Sequence, residues 1–180
     1  MLLADQIKEK NIAEYVLYMW QTEDLIRGFN LDIDLIEKNI VVQLAKSEDD
    51  LDNIKNWYFQ LIKDLRIQGK TKKGHCNNVD EILVEINYLH NTLINLMQDS
   101  KYSDIYKNAL PYIEEFRKHS QEKEISDIHL CFNALYGKLI LKLKGNTISE
   151  DTEKAFSHFR NVLGHLSVKY KQMKAGQLNL

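Results

Sequence analysis

Proline occurs once and glycine seven times in 180 residues. A sheet protein needs a turn every several residues, so this scarcity of turn chemistry argues for helices. Cysteine is nearly absent as well. Cys76 and Cys131 stand far apart and in no CxxC pair, which excludes a disulfide framework and a thiolate zinc site and leaves reduced thiols. No excess of one charge exists. The formal net charge of −2 gives no global ground for nucleic acid or an anionic membrane as partner. The most apolar segment, IHLCFNALYGKLILKL, is shorter than a bilayer span and contains Lys138 and Lys142. The opening MLLADQIKEKN has too short an apolar run and too early an acid for a secretory signal. Together these absences predict a cytoplasmic protein with no membrane segment.

With 44% hydrophobic and 28% charged residues, the chain can bury one sizeable core, and residues 1–180 read as a single domain. The helical period dominates it. Ser47 and the acids Glu48, Asp49 and Asp50 predict the start of a helix carrying Leu51, Ile54, Tyr58, Leu61 and Leu65, with Gly69 as its stop. Asn78 to Glu81 predicts another start, followed by Val79, Ile82, Ile86, Leu93 and Met97 on one side. Ser126 and Ser149 open two more, and Asp32 caps a short helix through Ile36, Ile40 and Leu44. Residues 102–118 are helical in pattern but contain Pro111, which predicts a kink or break. Residues 69–78, GKTKKGHCNN, are the one clear linker. The expected fold is an all-α bundle of about six or seven helices. In residues 128–143, Ala134 and Gly137 sit opposite Phe132, Leu135 and Leu139 and predict a close helix approach.

Two polar residues break the apolar faces. At about 100° per residue, Glu23 returns to within about 20° of Ile12, among Val16, Met19 and Ile26. By the same geometry His90 falls within about 20° of Val79, beside Ile86 and Leu93. A buried carboxylate needs donors. Arg27 one turn later, Tyr or Trp donors of neighbouring helices, and His90 itself are the candidates. The pattern fits a structural polar cluster, or an acid–base or metal site built on Glu23 and His90. Against a metal, the chain has neither the paired Glu-x-x-His of di-iron bundles nor HExxH. No metal and no cofactor are expected. Histidines 75, 119, 129, 158 and 165 are scattered and read as surface residues.

The remaining motifs are sparse. QGKT at residues 68–71 ends like a phosphate-binding loop, but Asp64 stands where the first glycine belongs and a helix precedes it. Lys70, Lys72 and Lys73 read as solvated charges, and no GxSxG nucleophile turn occurs. Arg160-Asn-Val-Leu-Gly-His165 resembles the Arg-polar-x-x-x-His signature of the helical HEPN ribonuclease domains. That resemblance implies RNA cleavage by Arg160 and His165. Arginine can hold a phosphate and histidine can move a proton near neutral pH, yet a regular helix sets these two about 140° apart.

A second resemblance covers nearly the whole chain. NIAEYVLYMWQTEDLIR (residues 11–27), Asn56-Trp-Tyr, Lys73-Gly-His75, Ala109-Leu-Pro-Tyr-Ile113 and DIHLCFNALYG (residues 127–137) resemble a family of small all-helical bacterial proteins known only as a domain of unknown function. The resemblance implies a helical domain and transfers no site residues. The function expected is non-catalytic binding of a partner protein or small molecule, a second copy of the chain being one such partner. The alternative is an enzyme, using either the Arg160/His165 hexad or a core Glu23/His90 site. Arg27, Glu23 and His90 are also the candidate binding residues.

Overall fold

Oxygen-bearing side chains mark where most of the helices begin. In the computed structural model, which describes residues 2–122 and 124–178, the Asn11 side chain accepts from the amides of Ala13 (3.0 Å) and Glu14 (3.2 Å). Its extended backbone separates α1, Leu3–Lys10, from α2, Ile12–Gly28. Asp32 caps α3, Ile33–Ile36, through the amides of Asp34 and Leu35. A π-helical turn, Glu37–Val41, carries α3 into α4, Val42–Leu44, as one rod. Ser47 accepts from the Asp50 amide at 3.1 Å to start α5, Glu48–Ile67. α6 is Asn77–Asn91, extended by a second π-helical turn, Thr92–Leu96. Asp99 caps α7, Ser100–His119. Ser126 and Ser149 cap α8, Asp127–Leu143, and α9, Glu150–Lys174. Each cap satisfies amides that the first turn cannot.

Among the described residues there is no strand, and the helices form eight rods when α3 and α4 are counted together. The extra rod is α1, which Asn11 divides from α2. Of the kink or break predicted at Pro111, the break does not occur: α7 runs through it. Pro111 is exposed, and there water can serve the Lys107 carbonyl that its missing N–H leaves open.

α2 touches α1, α5, α6, α8 and α9, and α9 packs on α7 and α8. Val16, Met19, Trp20 and Ile26 of α2 are buried with Cys131, Phe132 and Ala134 of α8 and Phe159, Leu163 and Leu166 of α9. Burying such side chains contributes about 1.5–3 kcal/mol each before the entropic cost of ordering the chain. Ala134 lies in the core as expected, whereas Gly137 is exposed and a Cβ built there meets nothing within 4 Å. The close approach predicted at Gly137 is absent. α2 ends with Asn30 and Leu31 at φ 54° and 58°, the Leu31 amide donating to the Ile26 carbonyl at 3.0 Å. Such left-handed residues close helices, although asparagine is better suited to the geometry than leucine.

Candidate functional site

Glu23 is fully buried. One carboxylate oxygen, Oε1, accepts from the Cys76 amide at 3.0 Å, and Oε2 lies 2.7 Å from His75 Nδ1. Arg27 Nη2 stands 4.0 Å from Oε2. Cys76 is the residue that precedes α6, and its side chain makes no capping hydrogen bond. The Glu23 carboxylate supplies from α2 what the local sequence lacks: an acceptor and a negative charge at the α6 N-terminus. The His75 ring is stacked on Trp20, with centroids 4.4 Å apart.

Arg27 completes the clasp. Its Nε donates to the Lys70 carbonyl (3.1 Å), Nη2 to the Gly74 carbonyl and Nη1 to Asp24 (2.6 Å). At Gly74, φ is +81° and a Cβ would stand 3.1 Å from the Lys70 side chain, so glycine fits this turn. The α5–α6 linker is therefore bound to α2 by one carboxylate and one guanidinium. Burial and the neighbouring Glu23 push the Cys76 thiol up to about 12, which makes it a poor nucleophile.

His90 is not among the partners of Glu23. Its Nδ1 meets the Tyr102 hydroxyl at 2.7 Å, and its ring lies edge-on to Tyr106. Burial lowers the His90 pKa and raises that of Tyr102. Tyr106 donates to Asp127, which also accepts from Arg117 at 2.5 Å. His165 of α9 stacks on the other ring of this group, Tyr102, at 5.4 Å. Burial lowers its pKa, and its Nε2 is buried without a hydrogen-bond partner among the described residues. Arg160 is exposed and lines a different groove, beside Lys138 and Lys142. The hexad thus diverges on α9, as helical geometry requires. The core pair is likewise separated into two clusters.

The histidines differ from the surface reading. His75, His129, His158 and His165 are half-buried, His158 stacks on Tyr112 at 4.6 Å, and only His119 of the five is exposed. Aromatic stacking explains the difference: imidazole rings pack against Trp20, Tyr102 and Tyr112 while keeping a polar edge. Among the described residues no group of three or more His, Cys, Asp or Glu is placed to hold a metal ion.

A cleft of about 760 Å³ lies between α1, α6 and the end of α9. Asp5, Lys8, Glu81, Glu85, Lys171 and Lys174 give it charges of both signs, and no histidine or cysteine lines it. Glu85 accepts from Lys174 at 2.6 Å and from the Tyr170 hydroxyl. Burial pushes the Glu85 pKa up, but these bonds outweigh it and hold the carboxyl below its usual range. Ser167, the one aliphatic hydroxyl there, donates to the Leu163 carbonyl (2.8 Å) and accepts from the Ala13 amide (3.2 Å). It is committed to packing α2 on α9. By contrast, Asp5, Lys10, Glu81 and Lys171 make no side-chain ion pair or hydrogen bond among the described residues.

None of these cleft residues follows from helical periodicity within one element, because the cleft joins three. No helix among the described residues is long and apolar enough to cross a membrane. Comparison with curated proteins and with solved structures gives no match. Residues 1–177 match the family described as Domain of unknown function (DUF4924), and the chain belongs to that family.

Proposed function

We propose that the protein works by binding, without catalysis, and that the cleft between α1, α6 and α9 receives a charged polypeptide segment of a partner. One observation carries this reading: in a cleft of about 760 Å³, Asp5, Lys10, Glu81 and Lys171 have no side-chain ion pair or hydrogen bond among the described residues. That volume is in the ordinary range for ligand sites, about 300–1,000 Å³. Unpaired charges of both signs suit a segment that also carries both signs, because complementarity sets its register and rejects wrong partners. The lining supplies no histidine or thiol to move protons or attack, and its serine is already hydrogen-bonded. The groups that suggested catalysis are occupied elsewhere: Glu23 in the linker clasp and His90 on Tyr102.

The test compares proteins retained by the parent with those retained by a Lys10→Glu/Lys171→Glu variant and by a control variant, Lys63→Glu. A specific partner should be lost from the cleft variant alone. Equal retention by all three would overturn the cleft assignment. Purified protein should also leave RNA intact in the absence of metal. Cleavage that disappears in His165→Ala would establish the nuclease alternative instead.

A further inference from the structure

A second groove, of about 410 Å³, lies where α2, α8 and α9 meet and adjoins the charged cleft at Asn11, which lines both. Its floor is apolar: Leu17, Leu135 and Leu139 are half-buried and Leu163 is buried. The lining has three cations, Lys138, Lys142 and Arg160, against one carboxylate, Glu14. Glu14 is turned onto the Asn11 amide at 3.1 Å. Lys138 is held by Glu153 at 2.5 Å and lies over the Phe156 ring, and Lys142 is 3.9 Å from the same carboxylate. Arg160 feels the Glu153 charge only from a distance and makes no close ion pair or side-chain hydrogen bond among the described residues, so its guanidinium donors are open. Gly164 lines the groove one turn beyond Arg160, and a Cβ built there meets nothing within 4 Å.

We infer that this groove binds a single-chain amphiphile with an anionic head, a carboxylate or a phosphate monoester. The alkyl chain lies over the leucine floor, where covering half-buried apolar surface is favourable. The head meets the Arg160 guanidinium, whose planar donors suit two oxygens at once. Charge beside an apolar floor selects the occupant: the lining has three cations to one carboxylate next to the leucines, and the volume is within the ordinary small-ligand range of about 300–1,000 Å³. The inference is independent of the charged cleft.

Titration calorimetry of the full chain with dodecanoate, dodecyl phosphate and dodecyltrimethylammonium, each below its micelle concentration, tests it. At least one anion should bind, and the ammonium should bind about tenfold or more weakly. The stronger of the two anions identifies the preferred head. Arg160→Glu should weaken anion binding about tenfold or more. Gly164→Leu, which fills the groove from a position with free space, should abolish binding without lowering the melting temperature. Failure of both anions to bind, equal binding of the ammonium, or anion binding unchanged in both variants would overturn the assignment. Sedimentation supplies another contrary outcome: a dimer that Gly164→Leu dissociates, with no anion bound by the parent, would give the groove to a second copy of the chain.

Discussion

Glu23 and Arg160 are both charges set beside apolar side chains, but they meet opposite surroundings. Around Glu23 the Cys76 amide, the His75 ring and the Arg27 guanidinium converge on one carboxylate, and water is excluded. Around Arg160 the leucines form a floor on one side, and the guanidinium itself is left to solvent. Saturation is what separates architecture from availability. A buried ion whose bonds are all made within the chain holds elements together, and its cost is offset only while those partners stay. An exposed ion with no close partner among the described residues contributes little to the fold, and its donors are open.

The largest expected effect breaks the first of these regions. Glu23→Ala leaves the Cys76 amide and His75 without their acceptor and removes the counter-charge beside Arg27, which keeps its own acceptors, and should cost about 3 kcal/mol in chemical denaturation. Glu23→Gln keeps an oxygen for the Cys76 amide and should cost less. His90→Ala removes a buried ring and its bond to Tyr102 and should cost about 2 kcal/mol in the same experiment. Variants as stable as the parent would instead point to strain retained for a working site.

A smaller effect concerns pH. Burial holds the pKa values of His90, His129 and His165 below the ordinary 6.5. Nearby acids oppose the shift: Asp127 at His90, Glu122 and Asp80 at His129, and Asp99 at His165. The native rings stay neutral at a pH where the unfolded ones take protons. Their contribution is therefore complete above about pH 6.5 and is lost as pH falls through the depressed folded values. The melting temperature should drop from pH 7 to pH 5.5, and His90→Gln should flatten that slope. A steeper slope in the variant would contradict this origin. The smallest effect sharpens the second region: Arg160→Ala should change stability by less than about 0.5 kcal/mol, as thermal melting will show.

The caps and the faces of the helices were legible because both are local. Ser47, Ser126, Ser149 and Asp32 start helices as their side chains predict, and Glu23 and His90 are buried as the period requires. Arg27, one turn from Glu23 on the same helix, was legible as its neighbour, but the partners from elsewhere in the chain were not, since period carries no information about them. His75 and Cys76 reach Glu23 through the linker, and Tyr102 reaches His90 from α7. The start expected at Asn78 hid the first pair: α6 begins at Asn77 behind Cys76, which offers no capping oxygen, and the lone acid on the core face of α2 serves instead. The grooves were illegible for the same reason, as each is assembled from several helices. Gly137 shows the converse error, in which a small residue suggested contact that the fold places in solvent.

Hydrogen exchange at the Cys76 amide tests most directly whether Glu23 is the anchor of the α5–α6 linker. The account predicts that Glu23→Ala accelerates exchange there by about a hundredfold, the equivalent of roughly 3 kcal/mol, with residues 69–76 following and the α7–α9 core changing less. An amide as protected in the variant as in the parent would contradict it.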